Sequence, residues 1–159
     1  MTNKQVDYSK IDEISTNGLR LTKIMMRLEF ALKDAGYCAP GNCGAAEVEW
    51  DRYAKEKLGV AFWTRIKGCS QIKVLIDSPP KKQVIDAAKT LKWAGVGAVM
   101  SIQELVGAVR RVRNNLFHGG KSGDPDSDRN AELFEATLFV IDQILQEDSE
   151  LQVIFSGNY

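Results

Sequence analysis

Apolar residues recur at helical spacing in four stretches of this chain. Over 15–35, Leu21, Met25, Leu28, Leu32 and Ala35 follow at steps of three or four, the period of one helix face. Gly36 supplies a stop, and the turn-rich stretch 37–44 follows. A second helix is predicted over 45–58, with Val48, Trp50, Tyr53, Ala54 and Leu58 as its contacts and Gly59 as its end. The stretch 60–77 stays open, because the run from Ile72 to Ile76 fits a buried strand and a short helix equally. Pro79 and Pro80 break the chain, and Pro80 suits the start of a helix reaching Trp93. Residues 94–97 form the next break. Over 101–117, Ile102, Leu105, Val109, Val112 and Leu116 step 3, 4, 3, 4, a narrow seam suited to packing between helices. Ser101 with Glu104 fits a capping box, and Gly119 and Gly120 end the helix. After a loop at 121–127, Phe134, Leu138, Ile141 and Leu145 mark a last helix over 128–147, with acidic residues in its first turns. The fold class predicted is all-α, a bundle of four to five helices, with an irregular or strand-like insert around 60–77 left open. Residues 1–14 read as a polar N-terminal segment, 15–147 as the helical domain and 148–159 as a short, frayed tail.

Composition narrows the class without defining it. The chain has 159 residues, 44% hydrophobic and 26% charged, as expected of one ordinary globular domain rather than a disordered chain. No stretch approaches the ~20 apolar residues that span a bilayer, so no membrane partner is expected. The polar N-terminus lacks the apolar core of a secretory signal, and the three cysteines form no framework; both point to the reduced cytoplasm. Net charge is zero, so no global field draws the protein to nucleic acid or lipid.

One local cluster departs from that neutrality. Residues 110–121 hold Arg110, Arg111, Arg113 and Lys121, no acid, and His118, the one histidine of the chain. A helix turns about 100° per residue, which places Arg113 on the shoulder of the apolar seam and Asn114 and His118 one turn apart on one face. Arginine offers a planar fork of donors to phosphate oxygens at any working pH. Histidine exchanges a proton near neutrality. The two together can cleave RNA without a metal: the imidazole handles the proton of the ribose 2′-OH or of the leaving 5′-oxygen, and the guanidinium stabilises the in-line phosphate transition state. DNA lacks the 2′-OH and resists this route. The ordinary alternative is a solvated Arg-rich face whose histidine complements the helix dipole.

The run from Arg113 to His118, RNNLFH, resembles the R-x4-H motif of HEPN domains, and the polar Asn114 directly after the arginine fits the same pattern. So does the setting: a helix end in a small bundle, then a loop and a last helix. The string RNNLFHGGK is similar to bacterial members found in toxin and defence systems. The resemblance implies a HEPN-type bundle over about 15–147, a metal-independent endoribonuclease with RNA as substrate, and a homodimer whose two motifs meet in one cleft. It implies no cofactor. Arg113 and His118 are then the catalytic pair, with Asn114 orienting the histidine or binding phosphate. Arg110, Arg111, Asn115 and Lys121 are expected on the RNA backbone, by charge and position rather than by motif. An antitoxin or regulatory partner is a further expectation. Gly120 stands where many HEPN toxins paired with a nucleotidyltransferase carry a tyrosine, so the likeness does not extend to that modification. The alternatives are a non-catalytic HEPN module that binds nucleotide or RNA, and a regulatory interaction domain.

Other patterns are weaker. The stretch 124–135 begins like a calcium loop, but Arg129 stands where the sharp turn requires glycine. Cys38, Cys43, Cys69 and His118 match no zinc spacing. Gly95 and Gly97 lack the rest of a phosphate loop, and no nucleophile accompanies the histidine. Trp50, Trp63 and Trp93 read as core or interface anchors before stacking platforms.

Overall fold

The computed structural model describes residues 6–119 and 127–158. The protein is mostly helical, with two small antiparallel sheets. Helix α1, Thr16–Asp34, starts where the Ser15 hydroxyl accepts the Gly18 amide, and Ala35 caps its end before Gly36 turns the chain at positive φ. Its predicted stripe is buried at Leu21, Met25, Leu28 and Leu32, whereas Ala35 is exposed at the cap and Ala31 is buried instead.

The second predicted helix is half a hairpin. Strands β1 (Cys38–Pro40) and β2 (Ala46–Val48) pair antiparallel, and helix begins only at Trp50. The turn between them contains Gly44 and Cys43 at positive φ, and the Gly41 amide donates to the Ala45 carbonyl. Helix α2, Trp50–Tyr53, runs on through a π-helical turn at Ala54–Leu58, and Gly59, at φ 67, resets the chain for α3, Gly59–Ile66. The open stretch resolves as helix: after a 3-10 turn at Ser70–Ile72, α4 covers Lys73–Asp77.

The helix expected from Pro80 to Trp93 is a second hairpin, β3 (Lys82–Ile85) with β4 (Leu91–Ala94). Apolar spacing there is not helical enough to outweigh a strong turn. The Asp86 carboxylate accepts the amides of Ala88 and Thr90, which folds the chain back on itself. Together the two hairpins correct the all-α expectation.

Helix α5, Ile102–Phe117, occupies the middle of the molecule, packed against α1, α2, α3, α4 and α6, Ser127–Glu147. Its seam is buried as predicted and widened by Val106, Ala108 and Asn115. Ser101 caps it by accepting the Glu104 amide; Glu104 returns a bond to the amide of Met100 rather than to that of Ser101. Residues 149–156, expected to fray, form α7, Ser149–Ser156. Asp148 caps it through the Leu151 amide and accepts the Tyr53 hydroxyl, while Arg27 of α1 donates to the carbonyls of Ile154 and Phe155. Burial and the neighbouring Asp148 carboxylate raise the Tyr53 pKa, so the phenol stays a donor. No helix among the described residues is long and apolar enough to cross a membrane.

Candidate functional site

Two seams bring the candidate residues together. On α1, Glu29 and Lys33 stand one position beyond the buried Leu28 and Leu32. On α5, Arg113 stands one position beyond the buried Val112. Where the helices pack, these shoulders face each other. Arg113 is half-buried; its Nη2 donates to Glu29 Oε1 in an ion pair, and its Nη1 donates to Asn114 Oδ1 at 2.7 Å. Guanidinium carries five N–H donors, so three remain for an incoming anion.

His118 follows the last turn of α5 as its cap residue, with its amide on the Asn114 carbonyl. The imidazole is exposed and meets the Phe117 ring edge-on, with 5.4 Å between centroids. Gly119 follows at φ 79, a backbone position that favours glycine.

Arg110, Arg113, Asn114 and His118 line one cleft of about 350 Å³. Its opposite wall is Glu29 and Lys33 from α1 and Glu47, Val48 and Trp50 from β2 and α2. The cleft is open and polar: three permanent cations, one imidazole and two carboxylates. Its cations present charged donors to an anion such as a phosphodiester.

A smaller apolar groove of about 220 Å³ continues from it, lined by Thr22, Met25, Met26 and Phe117 and again by Glu29 and Arg113. The Glu29–Arg113 pair is therefore the partition between a polar cleft and an apolar surface. That surface extends along α1, where Leu19, Met26 and Phe30 are all exposed, and Phe117 itself is 65% exposed.

Two of the expected RNA-binding residues are placed elsewhere. Arg111 donates to the Pro80 carbonyl at 3.3 Å, and partial burial lowers its pKa from the usual arginine value while leaving it a cation. Asn115 is buried, and its Nδ2 donates to the Lys81 carbonyl at 2.9 Å. Both hold the start of the second hairpin. Gly120, Lys121 and the following loop to Asp126, including the start of the calcium-like stretch, lie outside the described residues.

Glu29, Lys33 and Glu47 are site residues that the sequence did not single out. Glu29 carried one usable sign, a carboxylate directly after a seam residue on a helix of regular apolar spacing. Its partner was not legible, since that depends on how α1 crosses α5.

No protein-family model, curated protein or solved structure matches this chain.

Proposed function

We propose that the protein is a metal-independent endoribonuclease of HEPN type, acting in the cytoplasm as a homodimer and serving as a toxin or antiviral effector. The observation that carries this reading is the convergence of Arg113, Asn114, His118 and Arg110 on one cleft that borders an exposed apolar surface. An RNA phosphate enters beside Arg110 and Arg113. His118 of one protomer removes the proton of the ribose 2′-OH, the 2′-oxygen attacks phosphorus, and the 5′-oxygen departs with a proton from His118 of the second protomer. The products are a 2′,3′-cyclic phosphate and a 5′-hydroxyl, so hydrogen and charge balance without redox chemistry. Arg113 stabilises the charge that builds on the phosphorane oxygens. Glu29 and Asn114 act as positioning residues that fix the guanidinium in one orientation before RNA arrives. Pairing through the Met26 and Phe117 surface sets the two Arg113 residues near the dimer axis, which suits a composite site. An antitoxin or regulatory partner that covers the cleft mouth would restrain such an enzyme.

The test is cleavage of total cellular RNA in EDTA by wild type and His118→Ala. Wild type is expected to cut, leaving cyclic phosphate ends. His118→Ala is expected to lose at least a hundredfold in rate with an unchanged melting temperature, because the ring is exposed at a helix end. Equal cutting by both proteins, or a requirement for added metal, overturns the mechanism.

A further inference from the structure

The second hairpin has no core of its own. Antiparallel partners share a face, so Gln83, Ile85, Leu91 and Trp93 form one side and Lys82, Val84, Lys92 and Ala94 the other. All of β3 is exposed, as are Leu91, Lys92 and Trp93 of β4. An isolated two-stranded hairpin is marginal in water. This one is held rigidly at its base. Four successive carbonyls accept side-chain donors from the last two long helices: Ser78 and Pro79 from Arg129 at 2.9 and 3.2 Å, Pro80 from Arg111, and Lys81 from Asn115. Arg111, Asn115 and His118 follow one strip of α5 at steps of four and three. The arm is thus bolted to the motif helix one turn from the histidine.

Its chemistry is cationic and aromatic. Residues 81–94 carry Lys81, Lys82, Lys89 and Lys92 against the single acid Asp86, in a chain whose net charge is zero. Lys92 pairs with Asp86 at 2.6 Å. Lys81, Lys82 and Lys89 are exposed and make no ion pair among the described residues. Lys89 occupies the tip at φ 58, a backbone position that favours glycine, so a charge is kept there against a local conformational cost. Trp93, 38% exposed, shares its face with Ile85 and Leu91, a platform on which a base can stack.

We propose that the hairpin at 81–94 is a second RNA-binding element, an arm that holds single-stranded RNA alongside the cleft. Bases stack on Trp93, and phosphates meet Lys81, Lys82 and Lys89. The choice of RNA as occupant rests on the ribonuclease reading; charge complementarity and the stacking face stand without it.

The experiment measures binding of a fluorescein-labelled 12-nucleotide single-stranded RNA by anisotropy, using full-length His118→Ala protein so that nothing is cut. Adding Lys82→Gln with Lys89→Gln is expected to weaken binding about tenfold and to make the salt slope shallower by about 1.4. Trp93→Ala is expected to weaken it about tenfold, with Trp93→Phe restoring most of the loss. Lys89→Gly separates binding from folding: it relieves the backbone, so the melting temperature holds or rises while affinity falls. Equal affinity of all these variants and their parent overturns the arm, and so does a parent that binds no RNA. A shift in oligomeric state without a change in RNA affinity overturns it too, in favour of a protein contact. Cleavage by wild type is scored separately. If wild type cuts while the hairpin variants bind unchanged, the arm falls and the nuclease stands. If the hairpin variants lose binding while wild type cuts nothing, the nuclease falls and the arm stands.

Discussion

Asn115 lies inside the run 113–118 but turns its side chain to the backbone of a neighbouring segment. It lies between Asn114, which meets Arg113, and Leu116, which is buried in the seam, and it turns inward to the Lys81 carbonyl. Asn115→Ala removes that part-buried hydrogen bond, a loss of about 1–1.5 kcal/mol. For a domain of this size the melting temperature falls by roughly 3–6 °C. RNA cleavage measured well below the melting point is expected to persist. Loss of cleavage at full stability would place Asn115 on the RNA instead. At this scale the sequence was half legible. The wheel placed Arg113 on the seam shoulder and Asn114 with His118 on one face, both as found in the cleft. It could not tell Asn115 from Asn114, because the difference is which neighbouring segment lies against each. The segment that captures Asn115 begins at a proline pair whose path no periodicity encodes.

At the scale of elements, periodicity worked where an apolar stripe was long. Helices α1, α5 and α6 were placed within a residue or two at each end, since each buries one continuous face and α1 and α5 carry recognisable caps. The hairpins were missed because their strands are only three or four residues long, and those of the second bury neither face. The turn formed by Asp86 decides the second hairpin, and it is a side-chain effect that apolar counting cannot register. The same aspartate is expected to make the hairpin pH-sensitive. The Lys92 ammonium and then the Thr90 amide hold its carboxylate below the usual range, so its contribution is complete above about pH 4 and lost as pH falls through the lowered value. Acidification below pH 4 is expected to release the hairpin, read as a change in Trp93 emission in a Trp50→Phe/Trp63→Phe background. Asp86→Asn is expected to remove that transition. An unchanged acid transition in Asp86→Asn would assign it to another carboxylate.

Among the described residues, α1 and α5 together carry an apolar surface that a monomer leaves unexplained. Leu19, Met26 and Phe30 follow one side of α1, and Phe117 of α5 closes the groove beside Met26. Large exposed apolar residues scattered singly are ordinary; four gathered along two packed helices and continuous with a charged cleft are the pattern of an interface. The Glu29–Arg113 pair sits on the boundary, so under the proposed function a second protomer covering the apolar groove would exclude water from one flank of the guanidinium and strengthen its hold on an RNA phosphate. Dimerisation and catalysis should therefore fail together. Phe117→Glu places a carboxylate in the groove and sets it against its own symmetry mate. It is expected to convert a dimer to a monomer by light scattering and to reduce cleavage at least tenfold. Met26→Glu is expected to do the same from the other helix, with His118 untouched in both. Two outcomes separate the possibilities. A monomer that retains full activity means each cleft works alone, with one histidine serving as base and then acid. A dimer that persists in both variants means the interface lies elsewhere on the molecule, and the composite site must then be abandoned, because no other surface among the described residues combines exposed apolar side chains with direct access to Arg113.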